Sequence, residues 1–226
     1  MPGNLKKKQP DVNVPKPMEI QMIEPSEKHR KAITWIAGIA LFLVIFFSKA
    51  PDRGSPIYKA VEMTGYLFVT LAILGRIWCA LYIAGHKNME LVRDGPFSVC
   101  RNPSYVFSFM GLVGVLIGSH YLVLLVIALL YWIYYFFVIR SEEERLSKLF
   151  KAEFTTYCSR VHRFFPDPRK YWSRDVIEIN SYLVLREIIR SGFFMWVLLL
   201  LKILEHLKTI ETDGESLIPA LWNMPF

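Results

Sequence analysis

Apolar and polar positions alternate in long blocks along this chain. A polar, Pro-rich stretch occupies the first thirty residues. An apolar run from about Ala32 to Phe47 follows and stops at the turn-rich Lys49-Ala50-Pro51-Asp52-Arg53-Gly54. A longer run extends from about Ile57 to Ala84, with Glu62 and Arg76 near its ends or on an inward face. A polar loop, Gly85 to Asn102, leads into a hairpin of two apolar arms from Pro103 to Ile139 that turns at Gly118-Ser119-His120. Each arm predicts roughly 23–28 Å of helix at 1.5 Å per residue, barely enough for a hydrocarbon core of about 30 Å. Both feet of such a hairpin then lie on one side of the membrane, near headgroup level.

Beyond the hairpin, Leu146, Leu149, Phe150, Phe154, Tyr157 and Val161 recur at helical spacing with charged residues between them, which predicts an amphipathic helix. Phe165-Pro166-Asp167-Pro168 ends it. A last apolar helix is expected from about Leu183 to Leu204, led by Arg186 and Arg190. The pattern predicts an all-α, polytopic membrane helix bundle with about five transmembrane helices, a helical hairpin and a cytoplasmic amphipathic helix. It divides into a flexible tail (1–30), two spans (31–84), a core of loop, hairpin and amphipathic helix (85–166), a linker with the last helix (167–208) and a polar tail (209–226).

Composition agrees with this reading. The 226 residues are 53% hydrophobic and carry a formal charge of +7. The cations cluster at the ends of apolar segments, where they act as topology signals, so an N-inside orientation obeys the positive-inside rule. No nucleic-acid motif is present. Cys79, Cys100 and Cys158 are far apart and no His pair has ligand spacing, so neither a disulfide framework nor a metal site is expected. The polar N-terminus lacks the pattern of a cleaved leader. Membrane lipids are the natural surroundings, and the Arg-led last helix offers a face for a second copy of the chain.

The chemistry concentrates at the feet of the hairpin. Gly95-Pro96 predicts a tight turn, and Asn102-Pro103 reads as an N-cap followed by the first helical position. The free N–H groups of that helix start, with Arg101 beside them, suit a carboxylate or phosphate; a capped helix end with a headgroup-facing arginine is the plainer alternative. Glu142-Glu143-Glu144 stands where the fourth span leaves the membrane. These carboxylates can accept from a ribose or pair with an ammonium, or simply solvate the helix with Arg140 and Arg145. Gly111, Gly114 and Gly118 form a small-residue stripe for close helix packing, with Gly111 also leaving room for a cofactor edge. Tyr105 and the aromatics of the hairpin serve as interfacial belt or as stacking partners.

In order and spacing these two segments resemble the isoprenylcysteine carboxyl methyltransferase family and its phospholipid methyltransferase relatives. Gly95, Pro96 and Phe97 match the family turn. Arg101, Pro103 and Tyr105 match the Arg-His-Pro-x-Tyr element. Glu142, Glu143, Leu146, Phe150, Tyr157, Val161, Arg163 and Pro166 match the closing element. Asn102 stands where the family has histidine, Lys151 where it has glycine, and Phe154 where it has tyrosine.

The resemblance implies a methyltransferase using S-adenosylmethionine, bound by Arg101, Asn102, Pro103, Tyr105, Gly111, Glu142 and Glu143. It also implies a hydrophobic or lipid-like acceptor entering from the bilayer, with Arg140, Arg186 or Arg190 orienting a carboxylate and Glu143 serving an amine. A prenylcysteine carboxylate, a phospholipid amine and a small thiol all remain open as acceptors. An NAD(P)H-dependent reductase akin to the sterol reductases and a non-catalytic membrane scaffold are the alternatives of other classes.

Overall fold

In the computed structural model, residues 55–86, 89–120 and 125–208 are described, together with the pairs 211–212 and 215–216. The N-terminal tail and the first expected span lie outside the described residues. The class is helical: α1 is Pro56–Ile83, α2 Pro96–Val99, α3 Pro103–Gly118, α4 Leu125–Arg160 and α5 Ser181–Lys208. A short 3-10 turn occupies Pro168–Lys170, and Glu211–Thr212 pairs antiparallel with Glu215–Ser216.

Local chemistry accounts for most boundaries. The Ser55 hydroxyl accepts from Ile57 N at 3.2 Å while Pro56 sits where its missing N–H costs nothing, so α1 starts there. Asn180 Oδ1 accepts from Leu183 N at 3.1 Å and opens α5. Asn102 behaves differently from the cap expected of it. It occupies the capping position but makes no side-chain cap bond, because its amide is drawn to Glu143. The hairpin arm and the amphipathic helix follow one another without a loop, as two helices that meet at a kink. They run on as α4, 36 residues long, broken at Lys151, where φ is 43° and ψ −117°. Left-handed φ is costly for a side chain with a Cβ, which explains why the family pattern has glycine at this position.

Helices α1 and α3 form the heart of the bundle. A Cβ on Gly65 would collide with the backbone of Gly118 and sit 2.8 Å from the Gly114 carbonyl, so the two helices touch backbone to backbone. Helix α5 closes the third side. Phe194 lies against Gly111 and Leu198 against Gly118, with Val69, Ala72 and Leu198 fully buried. At the other end the loop before α2 is wedged between α1 and the tip of α4. One apolar group there is Cys79, Tyr82, Val92 and Phe97; another is Leu91, Phe154, Tyr157 and Val161.

Large apolar side chains cover much of the outside. Leu67, Leu71 and Leu74 on α1, Leu129, Ile133 and Phe137 on α4, and Leu185, Ile189, Phe193 and Trp196 on α5 are exposed. Contiguous apolar surface of this kind suits lipid rather than water. By length and composition, one helix among the described residues, Pro56–Ile83, can cross a membrane; at 28 residues it is about 42 Å long. Pro103–Gly118 is apolar but has only 16 residues. The described residues therefore carry one clear span where the sequence pattern predicts about five in the whole chain.

Candidate active site

The α3 start, the α4 segment around Glu142 and the loop before α2 enclose a cavity of about 320 Å³. Its polar wall holds Arg101, Asn102, Ser104, Tyr105, Glu142, Glu143 and Arg145. Leu91, Val92, Phe97, Leu146 and Phe154 form the apolar wall. The two motif segments, some 40 residues apart in the chain, meet here as expected.

Glu143 organises this wall. It is 7% exposed and receives Asn102 Nδ2 at 3.0 Å on one oxygen, Arg163 Nε at 2.9 Å and an Arg163 terminal nitrogen at 2.7 Å on the other. Arg101 Nε stands 3.5 Å from the first oxygen. A buried carboxylate is stable only when paired and hydrogen-bonded in this way. Here the pairing ties the loop before α3, the middle of α4 and the segment after α4 into one unit. Arg101 Nε is buried and makes no hydrogen bond, so its pairing with Glu143 is ionic. Glu142 lies one residue away and accepts from Tyr105 Oη at 2.8 Å, with Arg145 at 3.6 Å.

Several contacts hold the wall rigid. Tyr157 Oη donates to the Phe97 carbonyl at 2.6 Å, and burial pushes this phenol well above its usual range, so it stays a donor. Cys100 Sγ points at the Arg163 and Phe164 carbonyls at 3.4 Å each, and burial raises its thiol as well. A strap before α5 covers the loop. Gly95 N donates to the Trp172 carbonyl at 2.7 Å, Trp172 N to Ser98 Oγ at 3.0 Å, and Arg174 Nε to the buried Asp94 at 2.8 Å. Asp94 in turn holds the Arg174 guanidinium charged beyond its ordinary range.

The other site candidates are placed elsewhere. Pro103 is the buried first residue of α3, and Gly111 is packed between Ala72 and Phe194; neither lines the cavity. Arg140 is 65% exposed beside Glu144, and Arg186 and Arg190 are exposed on α5. Besides Arg101 and Arg145, Arg76 of α1 lines the cavity, together with Ser104 and Ser108. Its guanidinium donates to Ser108, to Glu187 and, at 3.1 Å, to Ser191. The sequence carried a signal for it: an arginine inside Leu-Ala-Ile-Leu-Gly-Arg-Ile-Trp must face a partner or a polar space.

Comparison with known proteins supports the same segment. The phospholipid methyltransferase family pattern matches residues 63–153. The chain is 31% identical over 207 residues to the nickel-cobalt-cadmium resistance protein NccN of Alcaligenes xylosoxydans xylosoxydans, covering 90% of this chain and 95% of the relative. It is 32% identical over 169 residues to the cobalt-zinc-cadmium resistance protein CzcN of Cupriavidus metallidurans, covering 74% of this chain and 78% of that one. No solved structure matches. With this coverage, and with its residues 63–153 carrying the phospholipid methyltransferase pattern, the chain belongs to the family of these two resistance proteins.

Proposed function

We propose that the protein is an S-adenosylmethionine-dependent methyltransferase of the membrane, acting on a hydrophobic or lipid-like acceptor. The observation that carries this reading is the cavity itself, in which Arg101, ion-paired with Glu143, stands beside a helix start, opposite an apolar wall. Its volume is in the range of small-molecule sites, and the donor set fits the cofactor. Arg101 and the first N–H groups of α3 would take its carboxylate. Glu142 and Tyr105 would take its ammonium or ribose hydroxyls, and Leu91, Phe97 and Phe154 the purine. Glu143, already satisfied by Asn102 and Arg163, is a positioning residue that holds Arg101 in place.

When bound, the cofactor supplies a methyl carbon already activated by sulfonium charge. The task left to this chain is alignment and exclusion of water, which suits a cavity walled by Leu146, Phe154 and Tyr157. The topology we propose is the five-span, N-inside arrangement, with the cavity at the cytoplasmic surface. The resistance proteins' names suggest a setting: a methylation that protects the cell against divalent heavy metals.

Purified protein in nanodiscs tests the reading through cofactor affinity and transfer of labelled methyl to lipid extract, a prenylcysteine analogue and small thiols. Binding that is lost in Arg101→Ala, with label in one acceptor class, supports it. Absence of S-adenosylmethionine binding refutes it. Selective NADPH binding would then point to a reductase, and binding of neither to a scaffold.

A further inference from the structure

A second groove lies at the same end of the bundle, with Tyr157 common to its lining and that of the cavity. It holds about 830 Å³ between the last turn of α4, the segment 93–98 and the strap at Lys170 and Trp172. Arg93, Arg160 and Lys170 line it, and no carboxylate does. The counter-ions stand outside the lining: Glu153 is 3.2 Å from Arg93 and Asp167 3.6 Å from Lys170. Both are exposed pairs of the kind that contribute little to stability. Arg160 is exposed and has no ion pair among the described residues. Lys170 Nζ donates to the Arg160 carbonyl at 2.7 Å and so covers the negative end of α4. The bonds that fasten the strap to the loop run through Gly95, Ser98, Trp172 and the Arg174–Asp94 pair and use none of these three cations.

The depth of the groove follows from α1. At 28 residues and about 42 Å, α1 is longer than a hydrocarbon core of about 30 Å, so its ends reach the headgroups. Tyr82 stands one residue before the end of α1; a Cβ on Gly95 would strike its ring, and its Oη is 2.9 Å from Ser173 Oγ. Loop and strap therefore stand at headgroup level. Phe165, Tyr171 and Trp172 are exposed there, Phe165 to 82%. From Arg160 to Arg174 the chain carries Arg160, Arg163, Arg169, Lys170 and Arg174 against the single acid Asp167. Exposed aromatics interleaved with cations suit the surface of an anionic membrane.

We propose that this groove is a second binding site, which takes the phosphate head of an anionic membrane lipid. Arg93, Arg160 and Lys170 hold the phosphate, and Trp172 covers the start of the chains. The lipid is a resident and is not methylated. A zwitterionic lipid would bring its own ammonium against three like charges; an anionic one brings none. Arg93 belongs to the loop and Lys170 to the strap, so a phosphate held by both bridges them. The bridge steadies the loop whose Leu91, Val92 and Phe97 wall the cavity. The site depends on the membrane setting of the protein and on none of the methyl-transfer chemistry.

The test uses the full chain in detergent micelles, titrated with phosphatidylglycerol, with phosphatidylcholine of the same chains and with glycerol phosphate. Backbone amide exchange is read by mass spectrometry. Phosphatidylglycerol is expected to protect peptides covering 93–98 and 170–174 at concentrations at least about tenfold below either of the other two, since each cation at a charged headgroup is worth about fivefold in affinity.

The decisive variant is Arg93→Gln with Arg160→Gln, which leaves the strap's own bonds in place. It is expected to weaken the protection about 25-fold, fivefold for each cation, with an unchanged melting point. Arg186→Gln with Arg190→Gln removes the same charge from the exposed face of α5 and is expected to leave the protection as it is. Equal protection by phosphatidylcholine overturns the inference. So does equal protection by glycerol phosphate, which would make the groove a site for a soluble phosphate, and so does an equal loss in both variants, which would mean diffuse attraction. No methyl transfer is read, so failure of the methyltransferase reading would leave the lipid site standing, and failure here would leave that reading untouched.

Discussion

The two ends of this helix bundle both bury charge, yet only one is hollow around it. At the closed end, Lys202 Nζ bridges Glu62 at 2.9 Å and Glu205 at 3.0 Å, with Tyr58 Oη at 3.2 Å. His120 stacks on the Tyr58 ring at 3.6 Å. Gly65, Gly114 and Gly118 draw α1 and α3 into backbone contact next to this cluster. At the open end Phe107 lies over Gly75, so an aromatic ring rather than backbone fills the gap between the same two helices. Beyond it come Arg76, Ser104 and Ser108, and then the cavity. A buried ion cluster is thus no sign of a site by itself; the closed one neutralises and packs itself. What marks the open end is that Arg101, Glu142 and Glu143 stand around a cavity that a small molecule fits.

Four changes would break or sharpen this contrast. The largest effect is expected from Glu143→Ala, which strands Arg101, Asn102 and Arg163 at once. Removing one member of a buried ion cluster costs about 4 kcal/mol, and cofactor binding should fall with stability. A melting point in detergent close to wild type would mean that Glu143 does not hold the wall together. Next is Gly65→Val, which forces apart α1 and α3 at the closed end at a cost of about 3 kcal/mol from overpacking. Here the thermal midpoint should drop, and an unchanged midpoint would contradict the backbone contact.

Lys202→Met should be milder, about 2 kcal/mol, since the buried Glu205 keeps its hydrogen bond from Tyr58 and Glu62 is partly exposed and can turn to water. Its S-adenosylmethionine affinity should match wild type, and a tenfold loss would mean the two ends are coupled. The smallest effect is a gain. Lys151→Gly relieves the left-handed backbone at the break of α4 and should stabilise by about 1 kcal/mol. No gain in equilibrium unfolding would show that the surroundings of Lys151 already compensate the strain.

Much of the core was legible before the structure. Gly95-Pro96 and Asn102-Pro103 announce element starts because proline and small polar residues act within a few positions of themselves. The order Arg101, Tyr105, Glu142, Glu143 announced a shared site because a short hairpin has to bring its feet together. The Arg76–Glu187 pair was not legible. Its members are 111 positions apart, and helical periodicity alone does not say which of Arg186, Glu187 and Arg190 turns inward. Arg186 and Arg190 turn outward and Glu187 inward because α5 packs through Val184, Ser191 and Leu198. Asn102 misled for a related reason: a local cap bond lost to a distant carboxylate.

What the sequence determined by itself is what depends on near neighbours and on the period of polarity: helices, their starts, a membrane-suited surface and the two motif segments. The tertiary structure alone decided which charges meet, which stay exposed and where space remains. Those outcomes depend on how glycines and aromatics set the distance between helices. That distance is a property of pairs of residues remote in the chain, so it cannot be read along one segment.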